Sequence, residues 1–272
     1  ERESRRFRPP GAQRVERHVE RHRGGQADLG AFPIGTTKMV YSIWTEDVAQ
    51  PQPLELTVTA HAGCLGTRKN TLESFKAALA FPVDYLEADV RFTPANDAYL
   101  SHDPLPLPQQ RDAMRLKELL KLVAPHKRVR LNLDMKEYSG LGEMAALLRH
   151  SGMGSRVILT GIVREAIPQV RARGVGLPYL LNARPGFWHR FTTVGAAAFP
   201  RVVQSCGALG LNVHHAFITR RLARSLSAAG LAVSVWTVDG EREMRRVLSM
   251  PADNITTNRV DVLLGLQSGR QR

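Results

Sequence analysis

From about residue 56 the chain repeats one unit eight times: a short apolar or β-branched run followed by an amphipathic, helix-like stretch. The strand-like runs fall at 56–61, 84–91, 129–136, 157–161, 176–182, 209–214, 232–238 and 254–257. Helical spacing fills 71–80, 116–124, 141–150, 164–173, 192–205, 220–229 and 241–249, and a last stretch at 261–267 closes the chain. Glycines such as Gly174, Gly207 and Gly230 punctuate the joins. Strand and helix in strict alternation predict a parallel α/β fold, because a parallel pair needs a crossover that a helix supplies. Eight units over about 215 residues fit a closed (β/α)8 TIM barrel. An open doubly wound sheet is the alternative, but no G-x-G-x-x-G turn follows any strand. The barrel is expected over 56–269, with a short insertion between its second strand and second helix.

Ahead of the barrel the composition changes. Residues 1–30 hold eight arginines against five acids and almost no large apolar side chains. Such a segment buries too little surface to offset its ordering entropy, and reads as a flexible basic arm. Residues 31–55 mix aromatics with Pro and Gly and read as a lead-in to the barrel. The arm carries only three of the thirteen excess positive charges. The rest decorates the barrel, above all the helices carrying Arg220, Arg221, Arg224, Arg242, Arg245 and Arg246. That excess suits peripheral contact with an anionic membrane surface. No specific nucleic-acid partner is expected, since no reader motif or aromatic stacking run accompanies the charge. Cys64 and Cys206 are too few and too far apart for a disulfide framework or a Cys-x-x-Cys metal site. With no visible signal peptide or membrane span, they favour a cytoplasmic setting, although a start at Glu1 leaves the compartment open.

In a (β/α)8 barrel the chemistry sits at the C-terminal ends of the strands. The first strand ends at His61. In the second, side-chain alternation puts Glu87 and Asp89 on one face and Leu86, Ala88 and Val90 on the other. In the third, Asn132, Asp134 and Lys136 share the inward face. Three converging carboxylates repel one another, and oxygen-only ligation suits one divalent cation, Mg2+ or Ca2+. Lys136 is placed to meet a phosphate oxygen. His102, in Ser101-His102-Asp103-Pro104, supplies a second imidazole. Two histidines, three carboxylates and a lysine predict metal-assisted phosphodiester chemistry. One histidine would activate the nucleophile and the other would protonate the leaving alkoxide.

Across 57–265 these residues resemble the glycerophosphodiester phosphodiesterase family of the phospholipase-C-like phosphodiesterase superfamily. The matching stretches are His61-Ala62-Gly63, Lys69-Asn70-Thr71-Leu72-Glu73-Ser74-Phe75, Glu87-Ala88-Asp89-Val90 and His102-Asp103-Pro104. Further along come Asp134-Met135-Lys136, Val235-Trp236-Thr237-Val238 and Asp253-Asn254-Ile255-Thr256-Thr257-Asn258. The resemblance implies His61 and His102 as acid/base catalysts, Glu87, Asp89 and Asp134 as metal ligands, and Lys136 as a phosphate contact. It also implies that Trp236 stands near the substrate. The chain departs from the family pattern at three positions. Ala62 replaces a phosphate-contacting Arg, Lys69 replaces a Glu, and Asp134 replaces a Glu. Arg68 or Lys69 could resupply the lost charge. Only thirty positions separate His102 from Asn132, where many family members carry a longer insertion that builds part of the substrate pocket.

The expected function is therefore hydrolysis of glycerophosphodiesters or lysophospholipid-like phosphodiesters. One alternative is a catalytically silent barrel that binds anionic lipid head groups or a protein partner, motivated by Ala62 and Lys69. Another is phosphodiester transfer through a cyclic phosphate. The sequence does not specify an oligomeric state.

Overall fold

A computed structural model describes residues 56–173 and 176–269. The basic arm and the lead-in lie outside the described residues.

Eight parallel strands close on themselves. They are β1 (Thr57–Ala60), β2 (Tyr85–Phe92), β4 (Arg130–Met135), β5 (Val157–Ile162), β6 (Tyr179–Asn182), β7 (Gly210–His214), β8 (Ala232–Trp236) and β9 (Asn254–Thr257). Closure is made where β1 pairs with β9 on one side and β2 on the other. A short ninth strand, β3 (Ala98–Leu100), lies antiparallel on the far end of β2, with Val90 opposite Leu100. The helices are α1 (Leu72–Leu79), α2 (Leu107–Asp112), α3 (Leu116–Val123), α4 (Leu141–His150), α5 (Ile167–Arg173), α6 (Phe187–Phe191), α7 (Thr193–Ser205), α8 (Arg220–Ala228), α9 (Glu241–Leu248) and α10 (Val260–Ser268).

Local sequence explains most of these elements. Thr71, Thr192 and Thr219 cap α1, α7 and α8, each hydroxyl accepting the backbone N–H three residues on. In α3, Leu116, Leu119, Leu120 and Val123 recur at helical spacing and are all buried. They pack in the layer formed by outward-facing strand residues such as Leu86, Ala88, Leu131 and Leu133, which are 1 % exposed or less. Burying each such leucine contributes about 1.5–3 kcal/mol.

The strands differ from expectation mainly at their ends. β6 begins at Tyr179 rather than 176, and β8 stops at Trp236 rather than 238. The helix expected at 164–173 opens with a 3-10 turn at Arg164–Ala166. Ahead of α7 stands a separate helix, α6, that the sequence pattern did not reveal. The Thr192 cap ends one helix and starts the next.

The barrel interior is polar for much of its height. Asn254 accepts from both Thr57 and Thr59 and donates to Ser234. Thr160 donates to Asn132, and Asn212 donates to Asn182. Branched aliphatics usually fill such an interior. Here small polar side chains satisfy one another, which keeps their burial from being costly. Among the described residues, no helix is long and apolar enough to cross a membrane.

Candidate active site at the barrel mouth

Parallel register brings the acids together. Asp89 on β2 lies opposite Asp134 on β4, and Glu87 lies opposite Asn132. Glu87, Asp89 and Asp134 each offer a carboxylate oxygen within 4.8 Å of the others. Glu87 and Asp89 are buried and Asp134 is nearly so. Burial, and then repulsion from Asp134 and Asp89, pushes the Glu87 carboxyl well above the usual carboxylate range.

Lys136 enters this cluster just past the end of β4. Its Nζ lies 2.9 Å from Asp89 Oδ1 and donates to Asp134 Oδ2. Burial alone would lower the lysine's pKa, but the two carboxylates outweigh it and hold the ammonium charged. Lys136 meets two of the three carboxylates and, among the described residues, leaves Glu87 without a direct cation, an arrangement that fits a divalent cation held by oxygen ligands.

Other side chains fix the acids in place. Asn70, with φ of 59°, donates through Nδ2 to Asp89 Oδ2 at 2.8 Å and accepts from the Asp89 backbone N–H at 3.0 Å. Thr160 shares its proton between Asn132 and Asp134.

His61 follows β1. Its Nδ1 lies 2.9 Å from Asn258 Oδ1, and Asn258 Nδ2 donates to Asp239 Oδ2 at 2.8 Å. Asp239 Oδ1 also accepts from the Asn258 backbone N–H and from Thr257 Oγ1. Burial and then the Lys69 charge push His61 below its ordinary value of 6.5, with Asp89, Asn258 and Asp239 acting in the opposite sense. His102 is more exposed, and its Nδ1 faces Asp103 Oδ1 at 2.9 Å. Arg91 holds the His102 loop by donating twice to the His102 carbonyl, and pairs with Glu137 at 3.3 Å.

His61, His102, Glu87, Asp89, Asp134, Lys136 and Trp236 all line one cavity of about 530 Å3 at the strand ends. Arg68 does not. It lines an adjoining groove of about 820 Å3, and Lys69, its neighbour, lines both. Lys69 crosses close over the loop after His61, so that a Cβ on Gly63 would stand 2.6 Å from Lys69 Cγ. Ala62 is fully buried. At this mouth the cation beside His61 is therefore Lys69.

Sequence reasoning did not single out Asn258, Asp239, Asn70 or Thr160 as supports. Asn70 and Asn258 lie inside the motif runs, but nothing in the local pattern announces their partners. Asn212 and Trp236 also line the cavity, and Asn212 Oδ1 and Trp236 Nε1 lack a hydrogen-bond partner.

Comparison with known proteins agrees with this fold. The glycerophosphoryl diester phosphodiesterase family profile matches residues 187–262, a stretch outside the acidic cluster and both histidines. A curated Mycobacterium tuberculosis protein, probable glycerophosphodiester phosphodiesterase 2, is 24 % identical over 240 residues, covering 75 % of this chain and 88 % of the relative. Among solved structures, a glycerophosphodiester phosphodiesterase from Parabacteroides distasonis superposes with a TM-score of 0.66 at 17 % identity, covering 80 % of this chain and 98 % of that one. An Oleispira antarctica phosphodiesterase, solved with the product sn-glycerol-3-phosphate, gives 0.62 at 18 % identity, covering 79 % and 97 %. At such identities the structural likeness carries the fold alone. Profile, curated relative, barrel and strand-end motifs point the same way: the chain resembles the glycerophosphoryl diester phosphodiesterase family.

Proposed function

We propose that the protein is a divalent-metal-dependent phosphodiesterase that hydrolyses glycerophosphodiesters or closely related lysophospholipid-like phosphodiesters. The observation that carries this reading is the triad of carboxylates sharing one cavity with His61, His102 and Lys136. Glu87, Asp89 and Asp134 would hold the cation, Mg2+ or Ca2+, which supplies charge stabilisation for a phosphoryl oxygen. The relatives' names and the product bound to the Oleispira protein point to the same substrate class.

The chain's own residues have separable tasks. Asn258 accepts at Nδ1 of His61, which leaves Nε2 with its lone pair free to take the proton of the attacking hydroxyl or water. His102, on the opposite loop, gives a proton to the departing alkoxide. Lys136 and Lys69 compensate the phosphate charge. Asn212 and Trp236 line the same cavity and would stand beside the bound substrate.

Turnover of glycerophosphocholine and of a lysophospholipid, with added Mg2+ or Ca2+ and again with EDTA, tests the reading. Hydrolysis that EDTA abolishes and either cation restores is expected. Full activity in Asp89→Asn or His61→Ala would sink it. Cation binding with no turnover of any phosphodiester would instead leave a silent head-group-binding barrel.

A further inference from the structure

Four of the seven large apolar side chains exposed among the described residues fall within eight consecutive positions: Phe187, Trp188, Phe191 and Val194. Phe187 is 75 % exposed and Val194 70 %. They belong to α6 and the start of α7, and the Phe187 and Phe191 rings pack against each other with centroids 4.7 Å apart. A clustered aromatic patch of this kind on an otherwise solvated surface needs a partner.

Its place in the fold is specific. β6 ends at Asn182, which lines the catalytic cavity, so the helix five residues later stands on the rim of the mouth. A chain of rings and cations connects the two. Trp236 in the cavity meets His214 edge-on at 5.4 Å, and His214 lies 5.9 Å from Phe217. Arg184 and Arg190 sit over Phe217 at 4.2 and 5.2 Å, and Arg190 also covers Phe191 at 4.8 Å.

Charge narrows the partner. Between Glu165 and Asp239 the sequence contains no Asp or Glu, against eight arginines. Arg190 and Arg221 are tied to the patch itself, Arg190 donating to the Ala216 carbonyl and Arg221 to the Phe191 carbonyl. Exposed Phe and Trp flanked only by Arg match an interface with apolar depth and anionic head groups. There the rings enter the head-group layer and the guanidinium groups stay among the phosphates.

We propose that α6 and the first turn of α7 dock the protein on a bilayer carrying anionic lipid, with the catalytic mouth set beside the membrane plane. This surface goes beyond the proposed reaction and stands whichever phosphodiester the cavity accepts. The test uses the full chain and co-sedimentation with phosphatidylcholine vesicles, with and without one quarter phosphatidylglycerol, in the absence of substrate. At least about tenfold stronger retention on the anionic vesicles is expected, weakening as salt is raised. Combining Phe187→Ser, Trp188→Ser and Phe191→Ser should lower retention by about tenfold while leaving the melting temperature near that of the parent. Phe187→Ser alone, at the most exposed ring, should still lower it by about threefold if the triple variant folds poorly. Absence of retention on anionic vesicles, or retention unchanged in both variants as binding through the arm would give, overturns the proposal. So does a dimer in sedimentation velocity that Phe187→Ser dissociates, which would assign the face to a second copy. Because retention is read without substrate, loss of hydrolysis and loss of docking remain separate results.

Discussion

Asn258 Oδ1 stands 2.9 Å from His61 Nδ1, and Asp239 determines which way round that amide sits. Since Asn258 Nδ2 donates to Asp239, its oxygen must be the atom that faces the histidine. His61 Nδ1 therefore carries the proton, and Nε2 is the basic nitrogen. Asn258 and Asp239 thus select the tautomer that a general base requires.

Asp239→Asn removes that constraint while keeping the shape. It should lower kcat by roughly 10- to 100-fold and leave KM nearly unchanged, because it acts on the base and not on substrate contacts. Asn258→Asp tests the same relationship electrostatically. A carboxylate at Nδ1 favours the imidazolium, raises the His61 pKa and moves the acidic limb of the kcat/KM profile to higher pH. A limb that stays put in Asn258→Asp would remove His61 from the role of base.

Lys69 and Arg68 are adjacent in sequence but stand in different places. Lys69 lines the mouth and helps to push the His61 pKa down, whereas Arg68 lines the neighbouring groove. Lys69→Met should therefore do two things: lower kcat/KM by roughly 10-fold or more through the lost phosphate contact, and shift the acidic limb upward in pH. Arg68→Met should leave that limb unmoved. Steady-state kinetics between pH 5 and pH 9 would distinguish the two, and equal effects would show that the loop moves on binding substrate.

The Glu87 carboxyl makes the metal-free protein sensitive to pH in an unusual direction. Its pKa in the folded chain is raised by burial and by Asp134 and Asp89. A carboxyl raised on folding binds more protons when folded, so the stability it contributes is fully present at low pH. That stability is lost as pH rises from the usual carboxylate range through the raised value. Thermal melts in EDTA should show this loss, and a divalent cation should reverse it at neutral pH by matching the charge. Glu87→Gln is expected to raise the melting temperature in EDTA and to abolish the stabilisation by cation. A variant that melts lower in EDTA and still responds to cation would contradict the reading of the cluster.

The sequence shows much of this site because the strand period is two. Glu87 with Asp89, and Asn132 with Asp134, fall on one face by alternation alone, and successive parallel strands set them side by side. The same rule says nothing about loops. Whether Arg68 or Lys69 turns into the mouth depends on the backbone after His61, and no periodicity encodes it. Asn258 is 197 positions from His61, so their contact emerges only when β9 closes the barrel onto β1. The polar interior was hidden for another reason. Thr59, Ser234 and Asn254 look like ordinary strand residues until their mutual hydrogen bonds are seen. Helix α6 escaped notice because it is five residues long, too short for a periodic signal.

One backbone position couples the fold to the acidic cluster. Gly161, at the end of β5, has φ of 72°, a conformation that side chains resist. A Cβ there would lie 2.3 Å from the Met135 carbonyl oxygen and 2.7 Å from Asp134 Oδ1. The surrounding backbone cannot easily yield, since the Gly161 N–H donates to Asn182 at 2.9 Å and its carbonyl accepts from Tyr138 at 2.7 Å. Gly161→Ala should therefore cost about 2–4 kcal/mol, from strain and clash together, and weaken cation binding by displacing the Asp134 carboxylate. Gly230→Ala is the control, because Gly230 has the same φ of 72° with nothing near its would-be Cβ. It should cost only about 1 kcal/mol, with cation affinity unchanged. Denaturant unfolding and calorimetric titration of both variants would separate strain from clash. Equal losses of stability, or an unaltered cation affinity in Gly161→Ala, would show that β5 does not support the acidic site in this way.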